Sequence, residues 1–287
     1  MCRNIAPMYS PDEKRPRRLS LAKRAGFGNR GGMCIVALAW QSHPRWKLVL
    51  IGNRDELHAR PAEPLDRWDD PDHLIAGRDS QAGGTWLGVS EQGRLAVITN
   101  VSSENGPDSD KYSRGDLLKD YLSGKGRYAD FGVDDFHDFN PFNLVTVTGD
   151  KALIHSNRPE PGSDTLQPGL HGLSNGMLDR PWPKSARLTK ALDQWLGGAA
   201  DRPALLLDTL MDRTACLPDA DGKAATDWEP SIEPQYSSIF IHNPVYGTRC
   251  STVVAIDHEG AGSILERRFD ASGTVTGETA LPFDWSL

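Results

Sequence analysis

The sequence predicts an α+β fold with mainly antiparallel sheets, and three observations carry that expectation. Apolar runs of strand length come in pairs joined by short turn-forming segments. Helical patterns are few and fall between these pairs, so the chain lacks the alternation that builds a parallel βαβ sheet. No internal repeat or linker divides residues 33–287, so they read as one domain.

The first pair is CIVALAW at residues 34–40 and KLVLIG at 47–52, joined across Gln41-Ser42-His43-Pro44-Arg45. The second spans 85–90 and 94–100 and turns at Glu91-Gln92-Gly93. A third spans 142–148 and 152–156 around Gly149-Asp150, and a fourth spans 248–257 and 263–269 around Glu259-Gly260. Helical spacing appears at 115–122, at 185–196, where Leu188, Leu192 and Trp195 share one face, and at 204–211. Residues 219–234 read as a long, mobile loop.

The 287 residues carry a net charge of −7, but that figure hides a split. Residues 1–32 hold eight Lys/Arg against two Asp/Glu, which leaves 24 basic and 37 acidic side chains in the body. Those 32 residues lack apolar periodicity and read as a disordered leader, or as a stretch upstream of a true start at Met33. An acidic body repels phosphate backbones, so no nucleic-acid partner is expected. No apolar run reaches the roughly 18 to 20 residues of a membrane span. Four cysteines (Cys2, Cys34, Cys216, Cys250) without CxxC spacing suit a reducing compartment, and a cytoplasmic protein is expected. The histidines are scattered without metal-ligand spacing, so no metal site is expected.

Two clusters carry candidate chemistry. If Met33 is the start and is removed, Cys34 becomes the first residue, and its thiol then has a free α-amine beside it that titrates near ~8. One residue would supply nucleophile and base. The same letters also describe an ordinary buried strand cysteine. Asn53-Arg54-Asp55-Glu56 follows KLVLIG directly, where its charges are placed to hold a Cys34 ammonium and lower the thiol pKa. An ordinary solvated turn explains the same residues, and composition alone favours the turn. Gly83-Gly84-Thr85-Trp86-Leu87-Gly88 lacks the lysine of a phosphate loop and reads as a tight turn entering a strand. Trp86 and Trp182 are candidates for a pocket wall or for core.

Met33-Cys34, the NRDE run at 53–56, the GGTWLG run at 83–88, Ile98-Thr99-Asn100, Ser113-Arg114-Gly115, Gly172-Leu173-Ser174-Asn175 and Tyr246-Gly247-Thr248-Arg249 occur in that order. Together they resemble the NRDE family, which includes Transport and Golgi organisation protein 2, from Met33 almost to the C-terminus. The resemblance implies a four-layer α/β/β/α sandwich of the N-terminal-nucleophile (Ntn) hydrolase type. It also implies catalytic positions. Cys34 matches the nucleophile, and Arg54 and Asp55 match the residues flanking it, with Asp55 the partner of the α-amine. Asn100 and Asn175 match positions that stabilise the oxyanion or position the amine, and Arg249 matches an arginine that orients the nucleophile.

The activity implied is hydrolysis of a carbon–nitrogen amide bond in a small or lipid-like substrate, with no cofactor. The family's links to haem movement and to lipid and acyl-CoA homeostasis imply the alternative, a non-catalytic carrier using the same cleft. A haem in that reading takes Cys34, Cys250 or a histidine as axial ligand. The oligomeric state is not legible.

Overall fold

A computed structural model describes residues 34–70, 73–101, 106–179, 182–198, 200–216 and 236–285. The basic leader at 1–32 and the loop expected at 219–234 lie outside the described residues. The strands are β1 (Ile35–Trp40), β2 (Trp46–Leu57), β3 (Ala62–Arg67), β4 (Leu74–Asp79), β5 (Leu87–Ser90), β6 (Arg94–Asn100), β7 (Phe142–Thr148), β8 (Lys151–Ser156), β9 (Gly162–Thr165), β10 (Gly169–Leu173), β11 (Tyr246–Asp257), β12 (Ala261–Phe269) and β13 (Val275–Asp284). The helices are α1 (Arg114–Ser123), α2 (Pro183–Leu196) and α3 (Leu206–Thr209), with 3-10 turns at Val133–Asp138 and Pro203–Leu205.

Two antiparallel sheets result. One runs β10-β1-β2-β11-β12-β13 and the other β3-β4-β5-β6-β7-β8-β9. Strand alternation sends successive side chains to opposite faces, and three cores follow from it. Val36, Leu38, Trp40, Leu48 and Leu50 of the first sheet meet Val89, Leu95, Val97, Val145 and Val147 of the second between the sheets. On the outer face of the first sheet, Ile35, Ala37, Val49 and Ile51 pack under Leu188, Leu192 and Leu196 of α2 and Leu206 and Leu207 of α3. On the outer face of the second, Leu74, Ala96 and Leu144 pack under Leu117, Leu118 and Leu122 of α1 and Phe136. The architecture is therefore a four-layer α/β/β/α sandwich of the α+β class.

All four expected hairpins are present, as β1–β2, β5–β6, β7–β8 and β11–β12. Four of the five strands absent from the sequence reading, β3, β9, β10 and β13, are sheet edges. Charge, proline or exposure masks them: β3 reads AEPLDR, and β13 alternates exposed and half-buried positions along most of its length. The third helical pattern, expected at 204–211, breaks into a 3-10 turn and a single helical turn.

Residues 53–56 require the main correction. They are not a solvated turn after a strand but the body of β2, paired with β11 as Asn53↔Ser251, Arg54↔Cys250, Asp55↔Thr248 and Glu56↔Gly247. A ladder partner some two hundred residues away satisfies the backbone there, and Asn53 and Asp55 are buried. The GGTWLG run does enter β5 through a turn, with Gly83 at φ 80°. Gly84 packs directly on the backbone of Gly115, where a Cβ would collide, and this contact sets the start of α1 against the loop. Among the described residues no helix is long and apolar enough to cross a membrane.

Candidate active site

At one end of the sandwich the sheets enclose a cavity of about 240 Å³. Cys34 enters it from the residue before β1, Arg54 and Asp55 from β2, and Arg249 and Cys250 from β11. The second sheet supplies Asp79 from β4 and Asn100 from β6, while Trp86 and Arg114 come from the segments preceding β5 and opening α1. Because Ile35 pairs with Asn53, the antiparallel register sets Cys34 opposite Arg54, which in turn faces Cys250 on its other side.

Electrostatics at Cys34 run against the sequence expectation of a lowered thiol. Burial, then the Asp55 charge, push the Cys34 thiol up to about 12, and a bond from the Asp55 backbone and the Arg54 charge oppose this only in part. The thiol is neutral at physiological pH. Burial also pushes the Asp55 carboxyl up to about 7, opposed by Lys184, by a hydrogen bond from Thr248 and by Arg54. The Thr248 hydroxyl donates to Asp55 Oδ1 at 2.7 Å, and Oδ2 is buried with no hydrogen-bond partner among the described residues. Burial works against the Arg54 charge, but Glu56, Cys250, Cys34 and Asp79 outweigh it and hold the guanidinium above its ordinary value.

Asp79 anchors this charged wall. Its Oδ2 accepts from Arg60 Nε at 2.6 Å and from Arg54 Nη2 at 3.4 Å, and its Oδ1 accepts from the backbone of Gln81 and Ala82. Arg114 donates to the Pro141 carbonyl at 2.7 Å, and burial pushes it down to about 10, so it stays charged. The Cys250 thiol is raised, first by burial and then by Glu266.

The family model described as Transport and Golgi organisation 2 matches residues 33–271. The chain belongs to that family. It is 31% identical over 270 residues to the Transport and Golgi organization 2 homolog of Mus musculus, covering 86% of this chain and 97% of the relative. The Homo sapiens homolog is 31% identical over 256 residues, 82% of this chain and 92% of the relative. Among solved structures, the chain is similar to a Caenorhabditis elegans N-acylethanolamine-hydrolyzing acid amidase ortholog (TM-score 0.42, 10% identity, 77% of this chain and 92% of that one). It is also similar to the C2A mutant of the conjugated bile acid hydrolase from Clostridium perfringens (TM-score 0.43, 9% identity, 86% and 92%).

In this member of the Transport and Golgi organisation 2 family, five of the six residues singled out from the sequence line one cavity: Cys34, Arg54, Asp55, Asn100 and Arg249. Asn175 stands behind it, buried, and its Nδ2 donates to the Asn100 carbonyl at 2.8 Å. It lies two residues past the end of β10. Its neighbour Ser174 donates to the Cys34 carbonyl at 2.9 Å, so the Gly-Leu-Ser-Asn run braces both sides of the site. Arg249 reaches away from the thiol, with Nη1 donating at 2.9 Å to the carbonyls of Leu57 and Arg60. It fastens the turn between β2 and β3.

The sequence reading assigned no role to Asp79, Arg60, Thr248, Lys184 or Arg114. Thr248 and Arg114 lay inside quoted motifs, which was a usable signal. Asp79 and Lys184 carried none, since nothing in their own segments marks them as buried or as neighbours of Cys34. Trp86 lines the cavity, whereas Trp182 is buried at the head of α2. A haem calls for apolar walls and an ionised thiolate or an imidazole. This cavity is lined largely by charged groups, includes no histidine and holds both its thiols protonated, so its residues do not fit that group.

Proposed function

We propose that this protein is a cysteine-dependent Ntn-type amidohydrolase that begins, in its active form, at Cys34 and cleaves a carbon–nitrogen amide bond in a small or lipid-like substrate. One observation carries the reading. Cys34 heads β1 in a cavity, and the buried Asp55 carboxylate beside it has one oxygen without a hydrogen-bond partner among the described residues. A buried carboxylate oxygen left open costs free energy, and the α-amine of a terminal Cys34 is a group whose N–H would complete it.

In the reaction, the α-amine takes the thiol proton and the sulfur attacks the substrate carbonyl carbon. The oxyanion of the tetrahedral adduct accepts hydrogen bonds from Asn100 and from backbone N–H groups. Collapse breaks the carbon–nitrogen bond, and the α-ammonium returns its proton to the departing amine. Water, deprotonated by the same amine, then attacks the thioester, releases the acid and restores the thiol. Arg54 holds positive charge against the developing thiolate, and Asp79 and Asn175 act as positioning residues.

The test is covalent labelling by a thiol-directed amide or lactam probe, beside a screen of N-acyl amides. Cys34→Ala is expected to abolish labelling and turnover with the fold intact, and Cys216→Ala to leave both unchanged. Intact mass reports the first residue of the native protein. Equal labelling of wild type and Cys34→Ala, with no turnover of any amide, would leave the carrier reading in its place.

A further inference from the structure

Lys184 is 1% exposed and, among the described residues, its Nζ makes no hydrogen bond, with the Trp182 ring 5.9 Å away. It lies in the first turn of α2, just after the Trp182 cap and Pro183. Two costs meet at that position. An ammonium loses its hydration on burial, and the amino end of a helix carries partial positive charge that disfavours a cation. Filling space does not explain it, because a methionine would occupy a similar volume without either cost.

Among the described residues, the charged and titratable groups that face it are Asp55 from β2, Cys34 from the head of β1 and Cys216 from the segment after α3, and they oppose the burial that holds Lys184 below its ordinary value. Asp55 is faced in turn by Lys184, by Thr248 of β11 and by its own strand neighbours Arg54 and Glu56. Cys34 is faced by Asp55, Arg54, Glu56, Arg114, Cys250 and Lys184. Thus two buried groups of opposite charge, Lys184 and Asp55, each with a polar atom left open, flank the head of β1.

We propose that Lys184 is a positioning residue for the nucleophile: its buried ammonium keeps Asp55 ionised and, by like-charge repulsion, keeps the α-amine of an N-terminal Cys34 in the free-base form that accepts the thiol proton. The proposal rests on the reading of Cys34 as the terminal nucleophile. Asp55 alone has the opposite effect on the amine, since a carboxylate stabilises a neighbouring ammonium, and an ammonium is not a base. With Lys184 present, ammonium, carboxylate and neutral amine sum to zero charge, and the neighbouring Arg54 and Glu56 offset each other. Without it, the same neutrality is reached only by protonating either the amine or Asp55.

The measurement is the pH dependence of Cys34 alkylation by iodoacetamide, read by intact mass on the full chain and on a chain begun at Met33. In Lys184→Met the midpoint is expected to rise by about one pH unit, with alkylation at neutral pH slowed about tenfold. Lys184→Arg should recover much of the wild-type profile. A purely structural lysine would lower the melting temperature and leave the midpoint of the folded protein where it was.

Should Lys184→Met fail to fold, the same change in the Asp55→Asn background decides. There the midpoint must lie above that of Asp55→Asn alone, and equality overturns the proposal. A chain that keeps Met33 in cells also overturns it. Alkylation needs no substrate, so a shifted midpoint with no amide turnover sustains the role of Lys184 and removes the hydrolase reading. Intact turnover with an unmoved midpoint removes the role of Lys184 alone.

Discussion

Asn53 and Asp55 lie two residues apart on one face of β2, and both are buried, yet the protein treats them differently. Asn53 is finished. Its Nδ2 donates to the carbonyls of Leu210 and Ile239, both at 2.9 Å, and its Oδ1 accepts from the Ser251 hydroxyl at 2.7 Å. Asp55 is unfinished, with Thr248 on one oxygen and, among the described residues, no hydrogen-bond partner on the other. The difference teaches where structure ends and chemistry begins on this strand. A neutral amide with every bond made ties the sheet to its helical layer, and a carboxyl oxygen two residues later is left open.

The sharpest way to break this comparison is Asp55→Asn, which keeps the shape and removes the charge. Turnover of a responsive amide should fall about 10²-fold or more while the melting temperature holds or rises, as kinetics and melts on the same preparation would show. A large loss of stability instead would make Asp55 structural, like its neighbour. Asn53→Ala is the mirror experiment. It strips bonds from two buried carbonyls and from Ser251, so unfolding in denaturant should cost about 3 kcal/mol or more less than in wild type. The folded fraction should still label at Cys34.

pH sharpens the contrast further. In the chain with Cys34 still peptide-bonded, the Asp55 carboxyl lies at about 7 against an ordinary 3.8. Between those values the folded protein holds a proton that the unfolded chain has released. Its contribution to stability is therefore full below the window and is lost as pH rises through about 7. Asp55→Asn should flatten that slope, with a gain on the order of a few kcal/mol at pH 8 and little change near pH 4, measured by denaturation across the range. A free α-amine at Cys34 should shrink the gain. The smallest effect belongs to Ser251→Ala, which removes one bond from Asn53 and should cost about 1 to 2 kcal/mol without altering Cys34 labelling.

Much of the fold was legible because central strands announce themselves. CIVALAW and KLVLIG are buried on both faces, between the sheets and under α2, and such runs stand out from any turn. The edges were silent for a physical reason: β3, β9, β10 and β13 have a partner on one side only, so their residues stay polar and irregular. The site was legible in part. Cys34, Arg54 and Asp55 stood out because a cysteine after a methionine and a charged run after an apolar strand are visible in the letters. Lys184 was invisible, because a lysine near a helix start ordinarily faces water.

By itself the sequence determined the class of the fold, its four hairpins and the cysteine at the head of the first strand, all of which follow from local periodicity and turn chemistry. Only the tertiary structure decided that residues 53–56 are a buried ladder rather than a turn, because their partner β11 lies nearly two hundred residues away. The same holds for the charges around Cys34. How costly a buried ammonium or carboxylate is depends on what faces it, and Asp55 and Lys184 meet only after two sheets and a helix have packed.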